Sequence, residues 1–110
     1  MKIISNKYTD WFLSKVKVSA ITLYPFIIVK TKLQKNKKLL NHEKIHLAQQ
    51  KELFVIGFYV WYICSFVKNY LKFFDYWASY QYIIFEREAY INEKNFSYLK
   101  NRKKFNFLKF

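Results

Sequence analysis

Cysteine, glycine and proline each occur once in the 110 residues, methionine once, and histidine only twice. The single cysteine, Cys64, excludes an intrachain disulfide. Two histidines beside one distant thiol do not make a zinc-finger spacing either. Lying inside an apolar run, Cys64 reads as a small buried residue. The first ten residues hold no apolar stretch of the secretory type.

Acidic residues are almost as scarce. Seven carboxylates stand against 20 Lys+Arg, giving a formal net charge of +13. Such a balance ordinarily suggests nucleic acid or an anionic membrane. Composition supplies another source. Phe (12), Tyr (10), Ile (11), Asn (8) and Lys (18) make up 59 of the residues, whereas Ala numbers four and Arg two. The abundant residues have A/T-rich codons and the scarce ones G/C-rich codons. An AT-biased genome therefore yields this charge without a basic partner surface, and no nucleic-acid ligand is expected. Aromatic residues between the lysines of the tail, 95–110, read as a packed terminal segment for the same reason.

Against these absences one pentapeptide stands out. His42-Glu43-Lys44-Ile45-His46 reads HExxH and contains both histidines. On a helix, positions i and i+4 share a face, so two imidazoles can bind one zinc ion. The intervening glutamate can accept a proton from water at that ion. Two histidines fall four apart in roughly one arrangement in 57, and a glutamate in the second slot makes it about one in 1200. Leu39, His42, His46, Gln49 and Leu53 follow 3-4-3-4 spacing, the stripe that faces a core. The histidines thus sit where a plain amphipathic helix places leucines, and buried imidazoles need partners.

The length fits one domain, residues 1–110. A short helix with Trp11 and Phe12 is expected near the start. Val16, Val18 and Ala20 alternate with Lys17 and Ser19, the period of a strand, and Phe26 to Val29 is an apolar run. Pro25 between them marks a turn or an edge. After a polar loop, helix begins near Lys37, and Gly57 marks a bend after the histidine helix. Leu53 to Val67 is apolar for 15 residues, against about 20 for a membrane span. It reads as a buried or interfacial helix, with a span over 53–74 as the alternative. Residues 73–82 read as a connection and 83–94 as a further helix. The expected class is α+β, mainly α: a β-hairpin or edge strand followed by three or four helices.

A zinc site open to water needs a third protein ligand. With both histidines used and no thiol nearby, a carboxylate is required, and Glu86, Glu88 and Glu93 cluster on one segment. Glu86 and Glu88 lie about 200° apart around a helix, so only one can face the metal. Glu86 shares its face with Ala89, Tyr90 and Glu93, and Glu88 sits among Ile84, Ile91 and Asn92. Periodicity does not choose between them.

HExxH followed some 40 residues later by a helical Glu-x-x-Ala resembles the gluzincin metallopeptidases. The resemblance implies that Glu86 is the third ligand and Ala89 the small residue one turn on. Membrane-associated prenyl-protein and heat-shock metallopeptidases carry Glu-x-x-Ala-Asp; here Tyr90 replaces that aspartate, which would orient a ligating histidine. A group of small bacterial proteins is more similar still. They share a strand like residues 20–27, the Asn-His-Glu-x-Ile-His-x-x-Gln-Gln stretch at 41–50, and the Phe-Glu-x-Glu-Ala-Tyr helix at 85–90. What the resemblance implies is a minimal zincin-like domain and Zn2+ held by His42, His46 and Glu86. It further implies that Glu43 is the catalytic base acting on a peptide or protein substrate. From its place on the histidine helix, Gln49 or Gln50 reads either as ordering the groups behind the ligands or as part of a solvated helix face. The expected location is the bacterial cytoplasm or the inner membrane, with membrane association an accompanying expectation and no particular oligomeric state implied. A protein in which the metal serves folding alone, or a membrane-associated helical protein with a vestigial HExxH, is the alternative.

Overall fold

The computed structural model of the chain describes residues 2–110. It is α+β and mainly α: β1 (Lys2–Ile4), α1 (Lys7–Lys15), β2 (Ala20–Leu23), β3 (Phe26–Val29), α2 (Lys37–Glu52), α3 (Ile56–Phe73), α4 (Tyr76–Gln81), α5 (Ile84–Asn92) and α6 (Tyr98–Asn101). The expected hairpin is present, turning through Tyr24-Pro25, with five helices after it. The strand β1 and its position beside β3 were not anticipated.

The strand order is β1-β3-β2, parallel between β1 and β3 and antiparallel between β3 and β2. In the hairpin Ala20 pairs with Val29 and Thr22 with Ile27. The Lys30 N–H donates to the Ser19 carbonyl at 3.1 Å. Antiparallel pairs alternate between bonded and non-bonded, so Ile21 and Leu23 also bond to β3. Ala20, Thr22 and Tyr24 turn their backbone groups outward, and β2 is an edge strand.

Directly opposed residues share a face, and the face toward α2 carries Ala20, Thr22, Ile27 and Val29. Ile27 and Val29 are fully buried against Leu47 of α2. Thr22 is the one polar side chain in this layer. A second cluster joins Phe58 of α3, Ile83, Phe85 of α5 and Phe107 near the C-terminus. Each such ring contributes about 2–3 kcal/mol by leaving water. The tail, read from composition as a packed segment, is anchored through Phe107, whereas Phe96, Phe105 and Leu108 stay exposed.

The helix carrying the histidines starts at Asn36, whose side chain accepts from Leu39 N–H at 3.1 Å. It ends at a 112° bend into α3. Gly57 does not make this bend. It lies inside α3 with ordinary φ, and the break falls at Phe54 and Val55, with φ of 57° and 61°. Val55 forms a γ-turn, the Ile56 N–H donating to the Phe54 carbonyl at 2.6 Å. A β-branched residue is rarely found there, which is why the glycine attracted the assignment.

Three further expectations are corrected. The strand begins at Ala20; Val16 and Val18 are exposed, beside a left-handed Lys17. Cys64 is exposed on α3, because the apolar run around it is only half covered. Residues 73–82 contain α4, opened by the Asp75 side chain accepting from Ala78 N–H at 3.0 Å. Among the described residues no single helix is long and apolar enough to cross a membrane.

Candidate metal centre

Helices α2 and α5 pack face to face, and their polar groups meet at one point. His42 and His46 are each 6% exposed and Glu86 is 3% exposed. The two Nε2 atoms lie 3.2 Å apart. Glu86 Oε1 is 3.1 Å from His42 Nε2, and Oε2 is 3.1 Å from His46 Nε2. Each residue offers one ligand atom to a group spanning no more than 4.8 Å. Zinc bonds of ~2.0 Å in a tetrahedron place neighbouring ligand atoms roughly 3.3 Å apart. The spacing fits.

The groups behind the imidazoles fix which nitrogen faces inward. His42 Nδ1 is 2.9 Å from Glu93 Oε1, a carboxylate that can only accept. His46 Nδ1 is 2.8 Å from Gln49 Oε1. The Gln49 amide is itself held: its Nε2 donates to the Phe85 carbonyl at 3.1 Å and to Glu88 Oε1 at 2.8 Å, so its oxygen faces the histidine. Both Nδ1 atoms are thereby donors, and both neutral rings turn an Nε2 lone pair toward Glu86. Three acceptors with no proton among them repel one another in a buried site. A cation relieves this, and so does one proton. Two protons do not, because the Nε2–H groups would collide. Without metal the proton goes to His46. Burial pushes its pKa down, but the charge and hydrogen bond of Glu86 outweigh this and raise it to about 9. Burial works against ionised Glu86 as well, yet the two histidines hold its carboxyl well below the usual range.

Glu88, the alternative ligand, faces the other way. It is fully buried, with Oε2 accepting from Arg102 Nε at 2.6 Å and from Tyr98 Oη at 2.5 Å. Arg102 also forks onto Glu52 at 2.7 and 3.0 Å. Burial opposes the charge on Glu88; the hydrogen bonds from Arg102, Gln49 and Tyr98 overcome it and lower its pKa. Arg102, Glu88, Gln49 and His46 thus form one chain of contacts from the C-terminal segment to the site.

Glu43 lies one residue beyond His42 and is 7% exposed. Thr22 Oγ1 donates to Glu43 Oε2 at 2.5 Å. The polar gap in the sheet face thus anchors one oxygen of this carboxylate and leaves the other available. Gln50 occupies the same edge: its Nε2 donates to the Thr22 carbonyl at 2.8 Å, and its Oε1 accepts from Tyr24 N–H at 2.7 Å. The hydroxyl of Tyr59 also donates to that carbonyl.

A cleft of about 650 Å³ opens onto His42 and Glu43. One wall is Val18 to Ala20 with Leu39, and the other carries Trp77, Tyr80 and Tyr90. Tyr62 Oη donates to Glu86 Oε2 at 2.8 Å. Burial and the Glu86 charge hold the hydroxyls of Tyr62 and Tyr80 protonated far above the ordinary tyrosine range. The ring of Tyr90 meets His42 edge-on at 4.6 Å.

His42, His46, Glu86 and Glu43, singled out by sequence, therefore come together. Tyr90 leaves the aspartate position without a carboxylate, but Glu93 supplies one from the next turn. Seven residues after Glu86, it lies on the same helix face, a spacing visible in the sequence. Asn41 holds that turn in place, its Nδ2 donating to the Glu93 carbonyl at 2.8 Å. Thr22, Tyr62, Tyr80 and Arg102 carried no sequence signal, since their roles depend on packing across distant segments. No family model matches the chain, and neither the curated proteins nor the solved structures contain a match.

Proposed function

We propose that the chain is a zinc-dependent peptidase of gluzincin type. The observation that carries this reading is the convergence of three ligand atoms, from His42, His46 and Glu86, beside a half-anchored carboxylate at a cleft. His42, His46 and Glu86 would hold the ion. When bound, zinc supplies Lewis acidity toward a carbonyl and brings the pKa of water to about 7. Glu43 accepts the proton of the attacking water at its unanchored oxygen and passes it to the leaving amine. Thr22 keeps the other oxygen in place. The outward backbone groups of Ala20 and the N–H of Thr22, which Gln50 and Tyr59 leave free, offer hydrogen bonds to a short extended stretch of peptide, and the cleft takes side chains of the substrate. Burial excludes bulk water from the ligands and strengthens each contact.

A second reading, a metal that serves folding alone, draws on the near-complete burial of the three ligands. Glu43→Gln separates the two. With random-sequence unstructured peptides as substrate, the variant should keep its zinc and lose at least about a hundredfold in hydrolysis. Hydrolysis unchanged in the variant removes Glu43 from the mechanism. A zinc-loaded wild type without hydrolysis supports the folding role.

A further inference from the structure

The outer face of α3 has no partner within the chain. Ile56, Val60, Ile63, Val67 and Leu71 are 76, 58, 60, 50 and 67% exposed. At about 100° per residue they fall within an arc of about 80°, so they form one continuous apolar stripe along an 18-residue helix. The opposite side of α3 does the packing, through Phe58 and the partly buried Tyr62 and Phe66. Soluble monomers expose scattered apolar side chains; a row of five on one helix is a binding surface.

Charge identifies the occupant. Lys68 and Lys72 border the stripe, and with Ile63, Cys64, Val67 and Leu71 they line a shallow groove along it. Among the described residues neither lysine lies within ion-pair distance of a carboxylate. None of the seven acidic residues falls between 53 and 74, so a second copy docking on this face would bring lysines against lysines. The whole chain carries +13. An anionic bilayer complements both features: acyl chains take the stripe, and headgroups take the lysines, whose stems reach upward from the apolar plane. Tyr70 and Trp61, 43 and 38% exposed on the same helix, suit the headgroup level.

We infer that the outer face of α3 docks the protein in the plane of an anionic lipid surface, with the stripe immersed and Lys68 and Lys72 at the headgroups. This does not depend on the peptidase reading, since none of these residues touches the metal centre or the cleft.

Cys64, exposed at the border of the stripe and the only cysteine, gives a direct probe. The full chain is labelled there with an environment-sensitive fluorophore and mixed with vesicles of phosphatidylcholine alone or with about 30 mol% phosphatidylglycerol. The expected result is a blue shift and co-sedimentation with the anionic vesicles only, both reduced at about 0.5 M salt. Ile63→Gln with Val67→Gln should lower partitioning at least about tenfold at unchanged helix content. Lys68→Gln with Lys72→Gln, which leaves the stripe intact, should also lower it about tenfold. Equal binding to both vesicle types, or no binding to the anionic ones, overturns the inference. So does a wild-type dimer in solution that Ile63→Gln with Val67→Gln converts to monomer, because the occupant is then a second copy.

Discussion

Glu93 Oε1 sits 2.9 Å from Nδ1 of His42 and so decides which face of that imidazole carries a lone pair. The residue lies outside the HExxH and Glu-x-x-Ala segments, yet it gives His42 a buried carboxylate partner, which Tyr90 cannot. Its second oxygen is 3.3 Å from Lys38 Nζ, which pairs with it on the solvent side. Glu93→Gln is expected to weaken zinc binding by about 10–100-fold while the fold is retained. A chelator competition titration measures it; an unchanged dissociation constant would show that His42 is oriented by packing on Tyr90 alone.

Glu86→Ala and Glu88→Ala should fail in different ways. Removing Glu86 takes away a ligand, and zinc content after purification should fall below about a fifth of an ion per chain. Removing Glu88 leaves Arg102, whose side chain is 4% exposed, with Glu52 alone and takes a partner from Gln49 and Tyr98, and should cost at least about 1.5–3 kcal/mol of stability with the three ligands still present. Zinc analysis beside denaturant unfolding distinguishes the two. Zinc lost only from the Glu88 variant would exchange their roles.

Metal loading should depend on pH. A raised His46 pKa favours the metal-free fold below the unfolded value of about 6.5, and that contribution disappears as pH rises through about 9. The ion must displace this proton, so apparent zinc affinity should rise by about one decade per pH unit up to that point. Calorimetry in buffers of different ionisation enthalpy counts the protons released. A flat affinity between about pH 6.5 and 8.5 would place no proton at His46.

Thr22→Val keeps the shape of the sheet face and frees the Glu43 carboxylate. A hydrogen bond to a charged group is worth about 1.5–3 kcal/mol, so hydrolysis should drop about 10–100-fold with zinc content unaltered. Parallel measurement of turnover and bound metal checks it.

The helix break allows a stability test. Phe54 is 86% exposed at positive φ, and Phe54→Gly should stabilise by about 1 kcal/mol. Gly57→Ala should be tolerated as well, since a Cβ there meets only Leu53 Cβ at 3.5 Å. Thermal unfolding of both variants locates the break: a large loss in Gly57→Ala would return it to the glycine.

What the sequence made legible follows from spacing. His42, Glu43 and His46 are fixed on one helix, so their geometry is set by 3.6 residues per turn. Glu86 and Glu88 could not be separated that way, because the choice depends on Arg102, 14 residues beyond Glu88, folding back to claim one of them. Cys64 was misjudged because an apolar run shows which residues avoid water, not which side of a helix finds a partner. The break at Phe54 and Val55 left no trace, since neither residue favours a left-handed backbone.

Gln50 changes what an open strand edge means here. Its amide holds the Thr22 carbonyl and the Tyr24 N–H as the peptide group of a neighbouring strand would. The unclaimed part of β2 is thus little more than the two backbone groups of Ala20 and the N–H of Thr22. A partner chain gains too few ladder bonds from that stretch to zip onto it by backbone alone. The molecule therefore carries its own strand-like plug, which guards against edge-to-edge aggregation of copies and leaves a gap one short segment long.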